Sequence, residues 1–218
     1  VTIEAVIWDF GGVFTSSPFE AFNRYEADKG LPKDFIRRIN ATNPDHNAWA
    51  LFERNEIDTF KFDELFLAES TALGHPVPGR EVLPLLSGQL RPRMVAALKA
   101  CKAQFKVGCI TNNVVSEHSP GQDEGQRMAG AMAQVMPLFD AIIESSKAGV
   151  RKPDPRIYLM MCDLLGVQPE ACVYLDDLGI NCKPAAGLGM RAIKVVDVDQ
   201  TLADLSRHTG LTFDQEPA

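Results

Sequence analysis

The stretch Ala5-Val6-Ile7-Trp8-Asp9-Phe10-Gly11-Gly12-Val13 decides the fold. Its first half closes an apolar run, Ile3 to Trp8, that is apolar on both faces, as a central strand of a parallel sheet is. The run then ends in a carboxylate followed by a glycine pair. Ligands of open α/β sheets sit beyond the carboxyl ends of the strands. Asp9 therefore stands where chemistry takes place, and Gly11 and Gly12 let the backbone come close to a ligand. An aspartate capping a tight turn gives the same local pattern, so the motif draws its meaning from what accompanies it.

Four further runs rich in β-branched residues read as strands: Phe105 to Ile110, Ala141 to Ile143, Cys172 to Leu175 and Ala192 to Val196. Helical patterns lie among them at Arg93–Ala103, Gln126–Val135, Arg156–Leu165 and Asn181–Leu188. This alternation predicts right-handed βαβ units, an α/β Rossmann-like parallel sheet with helices on both faces. The connection after the first strand is anomalous, because about eighty residues separate Val13 from Arg93, far more than a crossover needs. Phe19, Phe22 and Tyr25 fall near helical spacing there, as do Phe62, Leu65, Phe66 and Leu73. Asp58-Thr59 resembles a helix start, and Pro76, Pro78, Gly79, Gly88 and Pro92 punctuate the return. We therefore expect an α/β core from residues 1–15 and 91–218, with an inserted helical cap domain over 16–90. The polar stretch Ser116–Gln126 reads as an exposed loop.

Composition narrows the class. The 218 residues are 45% hydrophobic and 23% charged, ordinary for a globular protein, and the formal charge of −7 argues against a nucleic-acid surface. There is no apolar stretch of membrane-spanning length and no charged, apolar leader. The five cysteines (Cys101, Cys109, Cys162, Cys172, Cys182) form no Cys-x-x-Cys pair and read as reduced core residues, while the four histidines lack zinc-ligand spacing. The expectation is a soluble cytoplasmic enzyme with no membrane or nucleic-acid partner. Composition leaves its oligomeric state open.

Three other strand ends carry polar residues. Thr111-Asn112-Asn113 follows the second strand and offers a hydroxyl and amides to an anionic oxygen. After the third strand, Pro153 and Pro155 stiffen the loop that carries Lys152, and Asp154 stands ready to cap the next helix. The fourth strand ends in Asp176-Asp177, two acids whose emergence from a buried strand calls for solvent or a divalent cation. With Asp9 they supply the hard oxygen ligands that magnesium prefers.

Asp9, Thr111, Lys152 and the Asp176-Asp177 pair, in this order, resemble the four motifs of the haloacid dehalogenase superfamily, most of whose members are magnesium-dependent phosphohydrolases. The run Tyr174-Leu175-Asp176-Asp177-Leu178-Gly179-Ile180-Asn181, with Lys183-Pro184 and Gly187-Leu188-Gly189-Met190, is similar to one branch of it. That branch holds the phosphatase domain of soluble epoxide hydrolase and the kindred domain of acyl-CoA dehydrogenase family member 10. The resemblance implies Asp9 as nucleophile, and Asp9, the Gly11 carbonyl, Asp176 and Asp177 as the magnesium site. It further implies Thr111 and Asn112 as the phosphate-holding pair beside the Gly11–Gly12 backbone. Lys152 becomes the cation that offsets charge on nucleophile and phosphoryl group, and the substrate a small phosphorylated molecule.

The sequence departs from the superfamily at one position. Two residues after the nucleophile, most of its phosphatases carry a second aspartate that protonates the leaving group, and here Gly11 stands instead. General acid–base help of that kind is worth about 10²–10⁴-fold. A metal-independent dehalogenase and a phosphate-binding protein without turnover are the two alternatives to a phosphatase. The expected cap offers Asp45 and His46 as substitute donors, both read as surface residues. Nothing from Leu211 to Ala218 implies an epoxide hydrolase or dehydrogenase activity.

Overall fold

The computed structural model describes residues 1–86, 88–112, 130 and 133–213. Asn113, the loop expected over Ser116–Gln126 and most of the helix expected over Gln126–Val135 lie outside the described residues. Five parallel strands, β1 (Ala5–Trp8), β2 (Lys106–Thr111), β3 (Ala141–Glu144), β4 (Cys172–Asp176) and β5 (Arg191–Lys194), stand in the order β3-β2-β1-β4-β5. The chain leaves β1 to one side for β2 and β3, then returns to the other for β4 and β5. The crevice this reversal creates lies at the carboxyl end of β1, beside Asp9.

The two-residue period of the strands splits the apolar run of β1 between two cores. Val6 and Trp8 pack with Val173 and Leu175 of β4 against Met94 and Leu98 of α6 (Pro92–Lys102) and Leu202 and Leu205 of α10 (Val198–Thr209). Ala5 and Ile7 face the other way. They join Cys172 and Tyr174 with Ile157, Met161 and Leu165 of α8 (Pro155–Leu165), which follows the short α7 (Ser145–Ala148), and with Ala185 of α9 (Gly179–Gly187). Both faces are covered, which is why β1 and β4 show no polar alternation. Gly108 lets α8 lie close on β2, because an added Cβ would come 2.5 Å from the Met161 sulfur.

Most strands match the expected runs, with shifted ends. The first begins at Ala5 rather than Ile3, since ladder pairing with β2 and β4 starts there. β2 runs on to Thr111, which pairs with Glu144. β5 is Arg191–Lys194 instead of Ala192–Val196, and α9 starts two residues ahead of the expected Asn181. Asp154 caps α8 by accepting from the Arg156 amide.

Residues between β1 and α6 form α1 (Pro18–Asp28), α2 (Phe35–Ala41), α3 (Ala48–Glu53), α4 (Thr59–Ala72) and α5 (Gly79–Val82). Ser17, Asn47 and Asp58 cap α1, α3 and α4 through their side-chain oxygens. This helical insert has its own apolar cluster, in which Phe22, Phe35, Ile36, Ile39, Phe52, Phe62 and Phe66 are buried. Phe52 and Phe62 stack at 4.7 Å between ring centroids. Buried Glu26 of α1 accepts from the Asp34 and Ile36 amides at 2.8 and 2.9 Å, satisfying the start of α2. The two chain segments that enter and leave the insert pair with each other: Ser16 N donates to Gln89 O, and Arg91 N to Phe14 O. Among the described residues no helix is long and apolar enough to cross a membrane.

Phe62 is fully buried and touches three other rings. Phe62→Ala should therefore lower unfolding stability by about 3–5 kcal/mol, measured by urea denaturation.

Candidate active site

One buried ammonium organises the carboxyl edge of the sheet. Lys152 Nζ lies 2.7 Å from Asp9 Oδ1 and 2.8 Å from Asp176 Oδ2, with 1% of its side chain exposed. Burial works against the charge on Lys152, but Asp176 and Asp9 outweigh it and hold its pKa above the ordinary lysine value. Asp9 follows β1 and also accepts from the Phe10 amide at 2.7 Å. Asp9, Asp176 and Asp177 each offer a carboxylate oxygen, and these lie within 4.8 Å of one another. Three acids thus share one ammonium. Burial raises the pKa of Asp9 well above the carboxylate range, Lys152 pulls it back, and Asp176 and Asp177 push it up again. Burial, with Asp176 beside it, likewise lifts Asp177 to about 6. Such a set of hard oxygen donors suits a divalent cation, whose charge would relieve the crowding.

The three acids are not equivalent. Asp176 is surrounded by donors: Oδ1 accepts from Leu178 N (2.8 Å) and Asn181 Nδ2 (3.1 Å), and Oδ2 from Lys152, Asn181 (3.1 Å) and Tyr174 OH (2.5 Å). Asp177 lies against the Gly12 backbone. Gly12 has φ +71°, and a Cβ there would collide with the Asp177 carboxylate. Gly11 is different, because a Cβ on it would meet open space. Arg91 donates to Gly12 O at 2.9 Å and so pins the loop.

Thr111 is buried at the end of β2. Asn112, next in the chain, uses its side chain on the Lys152 backbone: Lys152 N donates to Oδ1 at 2.9 Å and Nδ2 donates to Lys152 O at 3.0 Å. Asp45 and His46 are exposed. Sequence reasoning did not single out Tyr174, Asn181 or Glu53 of α3. Tyr174 shares a strand face with Asp176 two residues on, so the β period alone points to it. Asn181 lies in the first turn of α9, within reach of the strand end. Glu53 carried no local signal, since it reaches Asn112 (3.3 Å) and Arg151 (2.7 Å) across the fold.

This arrangement of strand-end acids around one lysine has relatives. The family model of haloacid dehalogenase-like hydrolases matches residues 3–189. The chain belongs to that family. As a haloacid dehalogenase-like hydrolase it is an enzyme. It is 30% identical over 230 residues to mouse (Mus musculus) bifunctional epoxide hydrolase 2, covering 100% of this chain and 41% of that protein. The chain thus spans less than half the length of that relative. It is also 31% identical over 217 residues to Phosphatase MT3486 of Mycobacterium tuberculosis, covering 92% of this chain and 91% of that one. A haloacid dehalogenase family enzyme of Bacteroides thetaiotaomicron, solved with magnesium and inorganic phosphate, superposes with a TM-score of 0.57 at 17% identity, covering 88% of this chain and 93% of that chain. That likeness shows the shared fold.

The adjacent glycines separate two effects. Gly12→Ala should lower stability by at least about 1–2 kcal/mol, the penalty of a side chain in the left-handed region, to which the displacement of Asp177 adds, while Gly11→Ala should stay within about 0.5 kcal/mol of the parent. Thermal or urea unfolding of both variants checks this.

Proposed function

We propose that this hydrolase releases phosphate from a small phosphorylated metabolite through an aspartyl phosphate on Asp9. The supporting observation is the Lys152 ammonium held between Asp9 and Asp176 beside a third acid, Asp177. Phosphoryl transfer asks chiefly for positioning and charge neutralisation, and this site is built for both. A dehalogenase needs no metal, and three acids without one would repel an anionic haloacid.

Asp9 attacks phosphorus with a carboxylate oxygen, the phosphorus–leaving-group bond breaks, and an acyl phosphate forms. Water then attacks that phosphorus and frees Asp9. Lys152 neutralises charge on nucleophile and phosphoryl oxygens, and the Thr111 hydroxyl and the Gly11 amide orient the latter, the Phe10 and Gly12 amides being held by Asp9 and Thr15. Asp9, Asp177 and the Gly11 carbonyl would hold magnesium, which supplies charge neutralisation at the phosphoryl oxygens. Asp176, saturated by donors, orients Lys152 and the acid pair. Asn112 serves the phosphate through the loop it fixes. The helical insert, residues 16–90, acts as the cap that selects the leaving group. Five buried free thiols fit a reducing cytoplasm.

Gly11 shapes the substrate class. With no side chain there to protonate a departing alkoxide, the site favours leaving groups that depart as weak bases: acyl, aryl or anomeric sugar phosphates. A Cβ at Gly11 meets no neighbour, so Gly11→Asp should place a proton donor beside the leaving group and speed release from an alkyl phosphate by about 10²-fold.

The decisive experiment is a time course of phosphate release from p-nitrophenyl phosphate, with and without magnesium, beside Asp9→Asn. Magnesium-dependent release that vanishes in Asp9→Asn is expected. Turnover that survives Asp9→Asn, or that ignores the metal, would overturn the mechanism. A burst of nitrophenol ahead of the steady state marks slow hydrolysis of the acyl phosphate, and strictly linear release places the slow step earlier.

A further inference from the structure

The helical insert sends one carboxylate to the carboxyl edge of the core sheet, between Asn112 and Arg151. Glu53, the last residue of α3, is buried, and its side chain is fully engaged on both oxygens. Oε1 accepts from Trp49 Nε1 at 2.9 Å within the insert. Oε2 faces the core, 2.7 Å from Arg151 Nε and 3.3 Å from Asn112 Nδ2. Its backbone carbonyl accepts from Ser145 Oγ at 2.7 Å, and Arg151 also reaches back to Pro44 O at 2.9 Å. The loops that follow β2 and β3 thus converge on one residue of the insert.

The chain of contacts continues to the chemistry. Asn112 clasps Lys152 by both its amide and its carbonyl, and Lys152 holds Asp9. Burial raises the pKa of Glu53 while Arg151 opposes the rise, so the carboxylate and its guanidinium partner are mutually dependent. We propose that Glu53 is a positioning residue: it seats the insert on the core and fixes Asn112 and the Arg151–Lys152 segment so that the ammonium stays on Asp9. Its catalytic consequence rests on the phosphatase reading; the mechanical coupling does not. Turnover then depends on how the insert is seated, through the hydrogen-bonded path that runs from Glu53 by way of Asn112 to Lys152.

The test joins kinetics to amide exchange in Glu53→Ala, Glu53→Gln and Arg151→Ala. With p-nitrophenyl phosphate and magnesium, Glu53→Ala should lower kcat by about 10–100-fold and raise KM by less, the mark of a misplaced rather than missing group. Glu53→Gln should recover at least tenfold of that loss, because its amide oxygen can still accept from Asn112 while filling the same space beside Arg151. The Lys152 amide, which donates to Asn112, should exchange at least about tenfold faster in Glu53→Ala and in Arg151→Ala, with β5 amides unchanged. An unchanged Lys152 amide in folded Glu53→Ala overturns the coupling, as does a kinetic loss confined to KM. If Glu53→Ala does not fold, Arg151→Ala decides the exchange arm, where a normal Lys152 amide is equally fatal. Should the parent enzyme release no phosphate, the phosphatase reading falls, while the exchange measurement still decides whether Glu53 fixes Lys152.

Discussion

A lysine ammonium locked between two carboxylates is the constraint on which the carboxyl edge of this sheet depends. An unpaired charge at this depth would be strongly destabilising, and a buried pair that loses one partner loses about 3–5 kcal/mol. Lys152 is therefore possible only because Asp9 and Asp176 flank it, and each acid is tolerable only because Lys152 is there. The requirement reaches outward. Tyr174 and Asn181 fill the remaining acceptor positions of Asp176, Asn112 ties down the Lys152 backbone, and Glu53 ties down Asn112. Three strand ends and the insert are thus placed by one chain of charge-assisted contacts.

Topology and sterics supply what electrostatics cannot. The reversal of strand order beside β1 puts Asp9, one residue past β1, between the ends of β2 and β4, so that it meets the Asp176–Asp177 pair at the end of β4. Glycine at position 12 then decides how closely the loop folds over Asp177, since its φ of +71° and the proximity of that carboxylate exclude a side chain. Position 11 carries no such demand. A Cβ at position 11 meets no neighbour, so the first atom of a side chain is not what excludes a carboxylate there.

Much of this was legible because its signals are local. The apolar run ending at Trp8, the strand-end acids and the Lys152 loop each announce themselves within a few residues, and each lies where the sequence pattern predicts. Strand ends were less legible, because Thr111 belongs to β2 only through its pairing with Glu144, a partner that no window around Thr111 contains. Tyr174 was readable in principle from the period of β4, but its hydroxyl looks like core until the burial of Asp176 is known. Glu53 and Glu26 were illegible for a deeper reason. On a helix they read as solvated acids, and only tertiary contacts show that one completes a helix start and the other spans insert and core.

The same contacts explain how a site without its usual proton donor can remain well ordered. In a family member with an aspartate at position 11, that side chain would both act on the leaving group and add a fourth carboxylate to an already crowded cluster. Here Asp177 is lifted to about 6 with three acids present. A fourth would raise the electrostatic demand on Lys152 and on any bound cation. The glycine lightens that load. On the proposed phosphatase mechanism it also transfers the burden of protonation to the substrate, so that the arrangement that relieves the acids is the one that calls for a leaving group able to depart as a weak base. Glu53 cannot take over the missing role, since both of its oxygens are committed to Trp49, Arg151 and Asn112. Its contacts are geometric in effect: they hold Asn112, which fixes the backbone of Lys152 beside Asp9.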